Sequence, residues 1–231
     1  FHNFVKINFL VIINQYKDTM KNKLTGIYPI SPNYIDSDSE YLEKCFIVIN
    51  SGISIFQFRA PNISSRKRRF LLNNIYKYCI DAEVQLIINN DYYLIKNYEG
   101  AGIHIGRKDL PLRNIKKRMG SDVIIGYSCG SDINSFNEIK EYNISYFSVG
   151  AVFPSKTKKD TNTLTDEIVK DFCKVKNIPM CIIGGIDINN ISSVTTHKPD
   201  MIAISNGIFR EDVDNIKKTI HTLKGFINEK Y

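Results

Sequence analysis

Residues 180–207 read MCIIGGIDINNISSVTTHKPDMIAISNG, and this stretch decides the fold. Its two short runs, 180–183 (MCII) and 201–204 (MIAI), are apolar without alternation. That is the signature of a parallel strand covered on both faces. Each run ends on small residues, Gly184-Gly185 and Ser205-Asn206-Gly207. Working outward, the same kind of run recurs at 26–30, 53–59, 84–88, 102–105, 123–127 and 145–149. Helical spacing fills 38–50, 64–80, 132–142, 165–176 and 212–224, with Ser64 or Ser65 and Thr165 as expected N-caps. Eight such strands with helical crossovers in ~200–250 residues predict a single-domain α/β protein, a (β/α)8 TIM barrel over 24–226. A doubly wound sheet is the competing layout, but Ser31-Pro32-Asn33, not a GxGxxG loop, follows the first run. Residues 1–23 are expected as an N-terminal extension able to form an extra helix under the barrel. The chain opens on Phe1, and Met20 is a candidate start.

The 231 residues carry a net charge of +7, with 43% hydrophobic and 24% charged residues. This composition excludes whole-chain disorder, a peptide hormone and a disulfide-stapled mini-domain. Positive charge favours an anionic partner: nucleic acid, a membrane surface or a phosphorylated small molecule. The densest run, Arg66-Lys67-Arg68-Arg69, lies in a helical pattern and reads as a solvated face. The five cysteines form no CxxC pair, which argues against a zinc ribbon or a secreted framework and for buried thiols in a reducing, cytoplasmic setting. The apolar stretch 4–13 is broken by Lys6 and is too short for a membrane span of ~20 residues.

In a TIM barrel the chemistry sits at the strand C-termini and the loops after them. Those positions hold Gln57 and Arg59; Asn89, Asn90 and Asp91; His104, Gly106 and Asp109; Ser128; and Ser155, Lys156, Thr157 and Lys158. Tight glycines after the seventh strand let backbone N–H groups approach an oxyanion, and the seventh and eighth loops are the frequent phosphate site of this fold. Turning the chain is the alternative role of Gly184 and Gly185. In the sixth loop, hydroxyls and a mobile Lys suit phosphate oxygens.

Taken together, Gln57-Phe58-Arg59, Leu86–Asn89, Gly102–Gly106 with Asp109-Leu110, Ile125–Ser128, Val149–Lys158, Ile183–Ile186, and Ile204-Ser205 with Ile208-Phe209 resemble the thiamine phosphate synthase family. The TenI-type thiazole tautomerases share these motifs. The resemblance implies a transferase joining hydroxymethylpyrimidine diphosphate to hydroxyethylthiazole phosphate, giving thiamine phosphate and diphosphate with Mg²⁺. It implies that Arg59, Asn89, Ser128 and Lys158 are catalytic and hold the diphosphate, and that Gln57 contacts the pyrimidine. Ser155 and Thr157 would lie near the phosphates, with Gly185, Ile204 and Ser205 around the thiazole phosphate. Asp109 and Asn90 would be the metal positions.

Three departures stand out. Pro61 replaces a family Lys, Asn90 replaces a family Asp with Asp91 one residue on, and Gly130 stands where the tautomerases have their catalytic His. Lys156 or Lys159 is a candidate replacement cation. A non-catalytic binder of phosphorylated thiazole or thiamine phosphate is the alternative reading, with a tautomerase third. The expected partners are phosphorylated small molecules, with a homodimer allowed and neither nucleic acid nor membrane.

Overall fold

The computed structural model describes residues 24–34, 37–120, 123–154 and 163–228. The N-terminal extension, 1–23, lies outside them. Eight parallel strands run in the order β1-β8-β7-β6-β5-β4-β3-β2. They are β1 (Gly26–Pro29), β2 (Ile55–Phe58), β3 (Gln85–Asn89), β4 (Gly102–Gly106), β5 (Ile125–Gly130), β6 (Tyr146–Val149), β7 (Met180–Ile183) and β8 (Met201–Ile204). A parallel bridge between Ile30 and Gln57 closes β1 onto β2. The expected TIM barrel is the observed fold.

The helices in chain order are α1 (Asp38–Ile49), α2 (Ser65–Asp81), α3 (Leu112–Met119), α4 (Ile133–Ile139), α5 (Asp166–Val175), α6 (Ile191–Thr195), α7 (Asn206–Phe209) and α8 (Val213–Asn228). Hydroxyl caps start three of them. Ser37 accepts from the Glu40 N–H at 3.2 Å, Ser64 from the Lys67 N–H at 3.2 Å, and Thr165 from the Ile168 N–H at 3.4 Å. The β3–β4 crossover differs from the repeating pattern: it carries only a 3₁₀ turn, Ile95–Asn97.

Two apolar layers hold the barrel. The larger lies between sheet and helices and includes Phe56, Phe58, Leu71, Ile103, Phe147 and Phe172. The smaller fills the barrel and includes Tyr28, Ile55, Ile87, Tyr146 and Met201. Because the outer layer receives alternate strand residues and the inner layer the others, each strand reads apolar throughout. Four cysteines are buried and free, and Cys173 is partly exposed. Among the described residues no helix is long and apolar enough to cross a membrane.

Candidate active site

The seam between β1 and β2 sets the first part of the site. The Ser31 N–H donates to the Gln57 carbonyl at 2.8 Å. The Ser31 hydroxyl accepts from the Arg59 N–H at 2.8 Å and donates to the Arg59 carbonyl at 3.1 Å. Arg59 is thus fixed at the strand end by its own backbone. Its Nη1 donates to Asn33 Oδ1 at 2.9 Å, and partial burial lowers the guanidinium pKa. The Arg59 guanidinium thus has a neutral hydrogen-bond partner in Asn33.

Gln57 is buried, and its Nε2 donates to the Tyr28 hydroxyl at 2.7 Å. Tyr28 and Tyr146 meet hydroxyl to hydroxyl at 2.8 Å, and His104 Nδ1 lies 3.0 Å from the Tyr146 oxygen. A phenol donates one proton. The arrangement that uses every proton runs from Gln57 to Tyr28, to Tyr146, to His104. His104 then accepts at Nδ1 and carries its proton on Nε2. Burial raises both phenol pKa values far above the ordinary range, so neither ionises near neutral pH. Motif reading missed both tyrosines; their signal was a hydroxyl-bearing aromatic inside an apolar strand.

The ends of β3 and β4 supply the next group. Asn89 pairs in register with His104. Asn90 sits at φ 62°, a left-handed conformation that Asn tolerates, and its N–H donates to the His104 carbonyl at 3.0 Å. Asp91 turns toward α2, where Arg68 lies 3.3 Å away. Burial raises the Asp91 pKa and the Arg68 charge pulls it back. Asp109 closes a tight turn after β4, with Oδ2 accepting from the Gly106 N–H at 2.7 Å. Ser128 lies beside Gly106 and Ser148 in the sheet register.

The described residues hold no group of three or more His, Cys, Asp or Glu side chains suited to a metal. Magnesium is commonly held by one or two carboxylates plus substrate phosphates. The carboxylate of Asp109 with the amide oxygen of Asn90 fits that donor chemistry, while Asp91 already has a cation partner.

The loops after β6, β7 and β8 are built differently. Val152 and Phe153 donate to the carbonyls of Ile183 and Gly184 at 3.1 and 3.0 Å. A Cβ on Gly184 would stand 2.4 Å from Ala151, and one on Gly185 would stand 2.5 Å from the Pro154 carbonyl. The glycine pair is therefore required for loop packing, whatever it offers a phosphate. Ile204 is buried, with its carbonyl accepting from Ile30 N–H at 2.9 Å. Ser205 shares a cavity of about 310 Å³ with Asn33, Tyr41 and Lys44, so the Arg59 partner and the eighth loop face one space. Ser155, Thr157 and Lys158, with Lys156 and Lys159, lie outside the described residues.

One expectation changes. The run Arg66–Arg69 is not uniformly solvated: Arg66 and Arg69 are exposed, but Lys67 and Arg68 are partly buried and paired with Asp38 and Asp91. At Gly130 the space holds a cation, since a Cβ there would lie 3.6 Å from Arg107 Nη2. Even so, burial outweighs Arg107 and pushes the Cys129 thiol up to about 12, which leaves no thiolate base to replace a histidine.

The thiamine monophosphate synthase family model matches residues 27–208. A thiamine-phosphate synthase of Clostridium tetani is 33% identical over 181 residues, covering 78% of this chain and 85% of the relative. One of Nitrosomonas eutropha is 29% identical over 187 residues, covering 81% and 88%. Among solved structures, a thiamine phosphate pyrophosphorylase from Pyrococcus furiosus superposes with a TM-score of 0.79 at 20% identity, covering 91% of this chain and 98% of that one.

Proposed function

The chain belongs to the thiamine monophosphate synthase family, a family of transferases, and on that premise we propose that it couples hydroxymethylpyrimidine diphosphate to hydroxyethylthiazole phosphate. The observation that carries the reading is the family match across 27–208 together with Gln57, Arg59, Asn89 and Ser128 at the C-terminal strand ends. In the reaction the C–O bond to the diphosphate breaks and a C–N bond to the thiazole nitrogen forms. The leaving group takes the electron pair of the broken bond, so the protein must stabilise growing negative charge.

Arg59 holds diphosphate oxygens, and Asn33 orients its guanidinium by accepting one N–H. Asn89 and Ser128 donate neutral hydrogen bonds to the same group, with Lys158 as a second cation. The Gln57 amide donates one N–H to Tyr28, which leaves its second N–H and its oxygen as the groups offered to the pyrimidine. Gly185, Ile204 and Ser205 bind the thiazole phosphate with Ser155 and Thr157. Asp109 and Asn90 would hold Mg²⁺, which supplies charge neutralisation at the departing diphosphate.

The test is turnover. Purified chain with both substrates and Mg²⁺ should release thiamine phosphate and diphosphate. Arg59→Ala should reduce kcat/KM by about 100-fold or more, because a charge-assisted contact to the leaving group is lost. A folded protein with no turnover above a protein-free control overturns the reading.

A further inference from the structure

Arg68 stands one turn into α2, and its guanidinium folds back over the loop after β2. Nε donates to the Ala60 carbonyl at 3.0 Å. Nη2 donates to the carbonyls of Pro61 and Ile63 at 3.1 and 3.4 Å. Nη1 donates to Asp91 Oδ1 at 3.3 Å and to the Tyr93 hydroxyl at 3.4 Å. The paired side chains of Arg68 and Asp91 are only 13% and 22% exposed, so water competes weakly for the bonds to Ala60, Ile63 and Asp91, while those to Pro61 and Tyr93 lie at the surface. A guanidinium has five N–H donors in a fixed plane and no acceptor. The contacts use all of them. Ala60, Pro61 and Ile63 belong to the loop that begins at Arg59, whereas Asp91 and Tyr93 belong to the loop that begins after Asn89.

We propose that Arg68 is a positioning residue that clamps the β2 loop to the β3 loop and so sets Arg59 against Asn89 and Asn90. With every donor engaged it has none left for a substrate, so it acts through these loops. Asp91 serves as its counter-ion and is thereby withdrawn from the metal positions. The clamp also gives the Pro61 loop a fixed shape where no lysine stands. A lysine at 68 could not replace it, since an ammonium has three donors and no planar fork. The consequence for catalysis rests on the proposed synthase reading; the clamp itself does not.

The experiment uses the full chain with Arg68→Lys, Arg68→Gln and Asp91→Asn. Amide hydrogen exchange without substrate should speed up by about tenfold at 60–63 and 91–94 in both Arg68 variants, with the rest of the barrel unchanged. Asp91→Asn should loosen 91–94 alone. Inorganic diphosphate, titrated by calorimetry with and without Mg²⁺, should bind about tenfold more weakly to both Arg68 variants. Their kcat/KM for the pyrimidine diphosphate should fall by a similar factor, with KM for the thiazole phosphate unchanged. Unaltered exchange at both loops in both Arg68 variants overturns the clamp. Equal losses for both substrates with a lowered Tm reduce Arg68 to general stability and overturn the positioning role. Wild type that neither binds diphosphate nor turns over defeats the synthase reading, while the exchange result still decides the clamp.

Discussion

The mouth of the barrel has two halves joined by different means. On the side of β1, β2 and β3, side chains make the joints: Ser31 to the Arg59 backbone, Asn33 to the Arg59 guanidinium, Gln57 to Tyr28, and Arg68 to Asp91. On the side of β6, β7 and β8, backbone meets backbone, and glycines remove the Cβ atoms that would block the approach. The polar half can lose one bond and keep its shape, because the neighbouring bonds remain. The glycine half has no such graded response, since an added methyl must displace main chain. Position of charge is therefore tunable on one side, and shape is nearly fixed on the other.

The largest effect should come from the glycine half. Gly184 has φ 113° and an added Cβ would meet Ala151 at 2.4 Å. Gly184→Ala should cost about 3 kcal/mol or more in urea unfolding, from backbone strain and clash together. A loss below that of a polar-half variant would break the contrast. Tyr28→Phe is that variant. It strands the Gln57 amide N–H and removes one of the two partners of the Tyr146 hydroxyl, leaving His104 as the other. The expected cost is about 1–3 kcal/mol. A neutral result would mean that water replaces the lost hydroxyl inside the barrel.

These two halves were unequally legible in the sequence. The runs 180–183 and 201–204 match β7 and β8 to the residue, because continuous apolar character with small residues beyond it has few other readings. Helix α3 escaped notice, since Leu112–Met119 buries only Leu112 and Ile115 among basic residues. Gly184 and Gly185 were visible as glycines, but the contact that requires them is long-range, with Ala151 and Pro154. On the polar side the strand-end residues Gln57, Arg59, Asn89 and Asp109 fell where barrel topology puts functional groups. Their supports did not. Tyr28 and Tyr146 are 118 positions apart, and only barrel closure brings their hydroxyls together. Arg68 looked like one of four equivalent cations, and helical phase alone does not say that its guanidinium turns back to Pro61.

The smallest effect probes the polar half at its rim. Asp38, the first residue of α1, accepts from Lys67 of α2 at 2.6 Å and from the Tyr34 hydroxyl at 2.6 Å. The Lys67 hydrogen bond, then that of Tyr34, holds the Asp38 carboxyl below its ordinary range. A carboxylate with a depressed folded-state pKa stabilises the fold above its unfolded pKa of ~4, and that contribution disappears as pH falls through the folded value. Asp38 and Lys67 are both partly solvated, so screening keeps the contribution small. Wild type should therefore show a slightly higher Tm than Asp38→Asn near neutral pH, and the two curves should converge as acid is added below ~4. The same acidification should leave the protection of amides at 150–154 and 183–186, taken relative to intrinsic exchange at each pH, unchanged, since among the described residues no carboxylate joins those loops to one another. Convergence at the rim with loosening at the glycine loops would show that the two halves are coupled through the barrel.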